Sequence, residues 1–151
     1  MKTLEAESID KSALAAIHAV VVDDEPFACA HLAHLLREAG VGTVHELSDG
    51  AECVSLCARD RIDWVFLDVR MPGLDGLAVA DALHMEMRHS QPPAIVYVTG
   101  FEDYAIQAFE KDASDYMLKP VERTRLALTL GRLLSRMPPR PDGIASPAPL
   151  P

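Results

Sequence analysis

The feature that most constrains this chain is an alternation repeated five times along its 151 residues: a short apolar run, then a segment whose apolar residues recur at helical spacing. The runs are AVVV (Ala19 to Val22), TVHEL (Thr43 to Leu47), WVFLDV (Trp64 to Val69), AIVYVT (Ala94 to Thr99) and DYMLK (Asp115 to Lys119). Runs as continuously apolar as WVFLDV and AIVYVT predict strands covered on both faces, as in a parallel sheet. Between the runs, Ala28, Leu32, Leu35, Leu36 and Ala39 share one helical face that Gly40 closes, and Ala51, Val54, Cys57 and Ala58 share another. A further helix is predicted from Gly76 to Met87, after the turn MPGLDG. FEDYAIQAFEKD reads as a short helix burying Ala105, Ala108 and Phe109, and Leu126, Leu130, Leu133, Leu134 and Met137 mark an amphipathic final helix beyond Pro120.

Strands alternating with helices leave few topologies open. Right-handed crossovers predict an α/β fold, (βα)5, in which a doubly wound parallel five-stranded sheet of flavodoxin-like order 2-1-3-4-5 carries helices on both faces. In that order ligands bind beyond the carboxyl ends of the strands, at the switch point between strands 1 and 3. At roughly 150 residues per domain there is room for one. The expected boundaries are an N-terminal extension over residues 1–17, where SALAAI could form a short helix, a domain over 18–137, and a Pro-rich linker or tail over 138–151. That last stretch holds six of the 11 prolines, a density neither helix nor sheet tolerates.

Charge narrows the function classes. A net charge of -9 is the wrong sign for a chain that neutralises nucleic-acid phosphates with its whole surface. It is uneven, however: residues 1–118 carry 8 basic and 21 acidic side chains, residues 119–151 carry 6 and 2. Cations near the end of the final helix suit its macrodipole. No apolar run approaches the roughly 18 residues of a membrane span, and MKTLEAESIDKSALAAIHA has acids where a signal peptide needs an apolar stretch, so a cytoplasmic protein without membrane contact is expected. Reduced thiols are expected for Cys29, Cys53 and Cys57. Cys53 and Cys57 lie one helical turn apart without a second pair at zinc spacing, which makes them packing residues. His31, His34 and His45 read as surface or satisfied polar groups, and Phe101, Tyr104 and Phe109 as packing aromatics, with Tyr104 the one to watch at an interaction face.

The chemistry sits at the strand ends. Asp23 and Asp24 end strand 1, Asp68 lies near the end of strand 3, Thr99 ends strand 4 and Lys119 ends strand 5, all at the edge where this topology binds ligands. Three carboxylates brought together repel, and a hard divalent cation with oxygen ligands resolves the conflict; Mg2+ suits a site that shares its remaining positions with water and phosphate. Lys119 adds a compact cation and Thr99 a hydroxyl for phosphoryl oxygens. Such an assembly supports in-line phosphoryl transfer to a carboxylate.

VVVDDEP, FLDVRMPGLDG, VYVTGF and DYMLKP, in that order and spacing on a (βα)5 period, resemble the receiver domain of two-component response regulators from about Ala19 to Met137. The resemblance implies that Asp68 is the phosphoacceptor, that Asp23 and Asp24 hold Mg2+ together with Asp68 and the backbone carbonyl of Arg70, that Thr99 and Lys119 contact the phosphoryl group, and that Tyr116 is the aromatic switch residue. It implies a sensor histidine kinase as partner and a signalling module rather than a turnover enzyme. The stretch TGFEDYAIQAFEKDASDYMLKP is similar to that of LytTR-type regulators, in which a DNA-binding output domain follows the receiver. The expectation is that such a domain is missing here or that the regulator stands alone, with DNA contacted only through an output domain. Homodimerisation is expected through the helix between strands 4 and 5 and strand 5, with the final helix at the margin. Glu102, Asp103, Glu110, Asp112 and Asp115 would face Lys119, Arg123, Arg125 and Arg132 across a two-fold axis, around Tyr104, Ala105 and Ile106. A Mg2+-dependent aspartyl-phosphate phosphatase of haloacid dehalogenase type is the competing reading. It needs Asp-x-Asp on strand 1, whereas Asp23, Asp24 and Glu25 are consecutive.

Overall fold

The computed structural model describes residues 9–87, 91–100 and 113–137. Five parallel strands form one sheet in the order β2-β1-β3-β4-β5, with β1 at His18–Val22, β2 at Thr43–Leu47, β3 at Trp64–Asp68, β4 at Ala94–Thr99 and β5 at Asp115–Leu118. The doubly wound order expected from the apolar runs is therefore the observed one. Around it lie α1 (Lys11–Ala15), α2 (Pro26–Ala39), α3 (Gly50–Arg59), α4 (Gly76–Glu86) and α5 (Arg123–Arg136). The expected helix between strands 4 and 5, with Phe101, Tyr104 and Phe109, falls on residues 101–112, outside the described residues.

Local chemistry sets the helix ends. Pro26 opens α2, and Gly40, at φ 113°, closes it in the left-handed region. Asp49 and Asp75 cap α3 and α4 by accepting from the N–H groups of Ala51 (2.8 Å) and Ala78 (3.0 Å).

Alternate residues along each strand feed opposite faces of the sheet. Ala19, Val21, Trp64, Phe66, Val96, Val98 and Met117 pack with buried residues of α1, α2 and α5. Val20, Val22, Val65, Leu67, Ile95 and Tyr97 pack with those of α3 and α4, including Cys53 and Cys57. All three cysteines are free and buried, and burial pushes the Cys29 thiol up to about 11. His31 Nε2 lies 2.9 Å from the Val121 carbonyl, a satisfied polar contact. Among the described residues no helix is long and apolar enough to cross a membrane.

The start of the chain differs from expectation. Residues 10–17, expected to be part of an extension, form a cap and the short helix α1, and two of them are buried in the core. Asp10 caps α1 by accepting from the N–H groups of Ser12 and Ala13 at 2.9 and 3.3 Å. Leu14 and Ile17, each 1% exposed, join the cluster formed with α2 and α5. The Gly42 N–H donates to the Leu14 carbonyl at 3.0 Å, and a Cβ at Gly42 would meet the Ala15 carbonyl oxygen at 1.9 Å. Glycine is required there by close backbone approach. Five helical residues show too little periodicity to announce a buried face.

Candidate functional site

The strand ends gather the chemistry at one open cleft of about 960 Å³, reached by Asp23, Asp24, Glu25, Asp68, Arg70 and Lys119. Asp68 ends β3, pairs in register with Val98 of β4, and is 5% exposed. Its carboxylate is fixed on both sides. Oδ1 accepts the Arg70 N–H at 3.2 Å, and Oδ2 accepts from Lys119 Nζ at 3.2 Å. The floor behind it requires a glycine: a Cβ at Gly76, the first residue of α4, would stand 2.6 Å from the Asp68 carbonyl oxygen.

Lys119 follows β5, and its N–H donates to the Thr99 carbonyl at 2.8 Å, carrying the β4–β5 ladder one step further. Its ammonium reaches Glu25 Oε1 at 2.7 Å, Asp23 Oδ2 at 2.9 Å and Asp68 Oδ2 at 3.2 Å. Burial disfavours the charged lysine, but these carboxylates outweigh it and raise its pKa. Burial chiefly pushes the Asp68 carboxyl up to about 6; Lys119 pulls it down and Asp23 pushes it further up. Hydrogen bonding to Lys119 holds Glu25 below the usual carboxylate range.

One carboxylate oxygen from each of Asp23, Glu25 and Asp68 lies within 4.8 Å of the others. With Lys119 counted, three anions and one cation leave a net formal charge of -2, all oxygen donors, a fit for a hard divalent cation of the Mg2+ kind. Asp24, expected in that set, lines the cleft but is exposed and stands outside this group of three. Glu25 is the third carboxylate of this group. The reason is local: the Glu25 N–H donates to Asp23 Oδ1 at 2.9 Å, closing a turn that returns the third acid toward the first. The run Asp23, Asp24, Glu25 held that signal, but consecutive acids do not disclose which ones share a side before the turn is known. Thr99 ends β4 and is 3% exposed; Tyr116 lies on β5 and is half-buried.

A second charged cluster joins β5 to α5. Asp115 accepts from Arg125 at 3.1 Å, from the Thr129 hydroxyl at 2.9 Å and from Arg132 at 3.1 Å. Burial raises the Asp115 carboxyl, but hydrogen bonds from Arg125, the Tyr116 N–H and Thr129 together hold it below its ordinary value. Arg125 also donates to the Tyr116 carbonyl, and its guanidinium lies 5.8 Å from the centre of that ring. A carboxyl depressed by folding contributes stability above its unfolded pKa, and that contribution is lost as pH falls through its folded value. Asp115→Asn is expected to cost about 1–3 kcal/mol at pH 7, with the gap to wild type closing as acid urea titrations move from pH 5 toward pH 2.

The family model described as response regulator receiver domain matches residues 19–130. A response regulatory protein of Vibrio cholerae is 40% identical over 119 residues, covering 78% of this chain and 48% of its own length. The transcriptional regulatory protein BtsR of Escherichia coli K12 is 42% identical over 118 residues, again 78% and 48%. The chain thus spans about half the length of these curated relatives. Among solved structures, the response regulatory domain of MrkE from Klebsiella pneumoniae superposes with a TM-score of 0.68 at 29% identity, covering 79% of this chain and 96% of that one. The response regulator TrrA of Thermotoga maritima, in complex with Mg2+ and BeF, gives 0.67 at 26% identity, covering 78% and 98%.

Proposed function

This chain belongs to the response regulator receiver family, and we propose that it accepts a phosphoryl group on Asp68 from a sensor histidine kinase. The observation that carries this is the Asp68 carboxylate, buried at the cleft floor with Lys119 on one oxygen and the Arg70 N–H on the other. In the step, an Asp68 carboxylate oxygen attacks phosphorus as the donor's N–P bond breaks, and that bond's electron pair returns to the histidine nitrogen. Asp23, Asp24, Asp68 and the Arg70 carbonyl are the proposed Mg2+ ligands, with Glu25 as a further carboxylate of the cluster. The chemistry supplied by bound Mg2+ is neutralisation of charge on the phosphoryl oxygens. Lys119 and the Thr99 hydroxyl donate to those oxygens, and the inward move of Thr99 leaves space that Tyr116 fills, biasing a two-state equilibrium.

The family's receivers are signalling domains. The output proposed here is transcriptional and of LytTR type, in a segment beyond residues 138–151, which act as its linker; BtsR, named a transcriptional regulatory protein and about twice the matched length, supports the transcriptional part, and the likeness of residues 99–120 to LytTR-type regulators the rest. Phosphotransfer and dephosphorylation are then the domain's only chemistry, in the cytoplasm. The phosphatase reading is not favoured, since the relatives are regulators and Asp68 has no role in it. The test is incubation of the chain with acetyl phosphate and Mg2+ followed by mass spectrometry: one phosphoryl group on the peptide containing Asp68 is expected, and a label on Asp23 instead would overturn the assignment.

A phosphorylation-enhanced homodimer through residues 101–112, β5 and the margin of α5 is also proposed, with a changed basis. Arg125 and Arg132 are engaged by Asp115 and Arg123 by Glu38 within one chain, and Lys119 is held in the cleft. These cations therefore already have partners at home. Leu118 and Leu128, 39% and 51% exposed on β5 and α5, offer apolar contact instead. Sedimentation velocity is expected to show a dimer that strengthens with beryllofluoride and changes little with salt; a monomer in both states at high concentration refutes it.

A further inference from the structure

An ammonium group has three N–H donors. In this chain all three have a carboxylate waiting: Glu25 at 2.7 Å, Asp23 at 2.9 Å and Asp68 at 3.2 Å from Lys119 Nζ. Lys119 can therefore donate to an incoming phosphoryl oxygen only by giving up one of them. The three are not equivalent. The Asp23 and Asp68 side chains are 5% and 6% exposed, and stripped of the lysine they would remain poorly solvated. Glu25, 65% exposed, exchanges the lysine for water at the least cost. It also makes the shortest contact, on the cleft's outer side, while Asp68 makes the longest.

We propose that Glu25 is a positioning residue for phosphoryl acceptance: it holds Lys119 toward the mouth of the cleft in the resting protein and is the arm released when Lys119 turns to the phosphoryl group. Its backbone is suited to that, because the Glu25 N–H is tied to Asp23 Oδ1 at 2.9 Å and Pro26 follows at the first turn of α2. Glu25 makes no side-chain cap hydrogen bond to α2, so the carboxylate can be changed without uncapping the helix. The proposal rests on Asp68 being the acceptor, and assigns to Glu25 a role that acts through Lys119 rather than on phosphorus.

The experiment compares the full chain with Glu25→Ala and Glu25→Gln. The first readout is exchange of the Lys119 ammonium protons with water, followed by 15N NMR of lysine-labelled protein without metal; it should accelerate in both variants. The second is beryllofluoride affinity at saturating Mg2+, measured by calorimetry. It should rise roughly two- to fivefold in Glu25→Ala, because no arm has to be broken first. Unchanged ammonium exchange, or beryllofluoride affinity at or below that of wild type, overturns the brace. A titration with Mg2+ alone separates the other role: weaker Mg2+ binding with an unaltered Lys119 signal makes Glu25 a metal ligand only and also overturns it. If the unaltered chain binds no beryllofluoride, the phosphoacceptor reading fails and this one with it, whereas failure confined to the variants' comparison removes Glu25 alone.

Discussion

Asp68→Asn is expected to take phosphoryl labelling by acetyl phosphate below detection while making the metal-free protein more stable at neutral pH. The first half follows from removing the nucleophile: an amide of equal size keeps one oxygen, which can accept from Lys119 or from the Arg70 N–H but not from both, and it does not form the acyl phosphate. The second half follows from burial. The Asp68 carboxyl is raised to about 6, above its ordinary value of 3.8. A group raised on folding costs nothing below the unfolded pKa, and the cost grows as pH rises through the folded one. The advantage of Asp68→Asn should thus be absent near pH 3, open between about pH 4 and pH 6, and reach about 1–3 kcal/mol at pH 7, part of it lost with the Lys119 ion pair. Mass spectrometry and urea unfolding at several pH values measure the two halves separately. A variant that loses labelling because it is unfolded would fail the second measurement, so structural damage cannot be mistaken for loss of the acceptor.

Leu14→Ala is expected to lower stability by about 2–5 kcal/mol, the range for emptying a well-packed core position. Leu14 and Ile17 are each 1% exposed and lie in the cluster that includes Trp64, Leu36 and Leu130. A domain of this size has only about 5–15 kcal/mol in total. Truncation of residues 1–17 should accordingly leave a protein that unfolds at much lower urea, while Lys11→Ala, on the exposed side of α1, should change little. The one tryptophan is fully buried in the same cluster, so its fluorescence reports the transition directly. A loss below about 1 kcal/mol for Leu14→Ala would mean that α1 is an appendage after all.

The same segment shows where sequence reasoning runs out. WVFLDV and AIVYVT announced β3 and β4 because a strand buried on both faces leaves no polar position to disguise it. The final helix was legible because Leu126, Leu130 and Leu133 recur over several turns. α1 has five residues, its burial depends on a carbonyl meeting Gly42 from elsewhere in the chain, and no local period records that. The charges failed differently. Arg123, Arg125 and Arg132 were legible as a basic stretch, yet their partners, Glu38 and Asp115, lie up to 85 residues away.

By itself the sequence narrowed the strand order to a few windings, of which 2-1-3-4-5 is the commonest for five βα units, and marked the edge of the sheet that carries the chemistry, because apolar periodicity and right-handed crossovers exclude most others. It placed Asp23, Asp68, Thr99 and Lys119 at that edge, since each stands at or beside the carboxyl end of an apolar run. Only the tertiary structure decided which acids meet Lys119, admitting Glu25 to the group of three and leaving Asp24 on the exposed wall of the cleft. It also put Leu14 and Ile17 inside the domain and paired the α5 arginines within the chain. The physical reason is one of range. Burial patterns repeat every two or 3.6 residues and can be read locally, whereas an ion pair or a close backbone approach is set to within an ångström by segments far apart in the chain, whose relative placement no local pattern records.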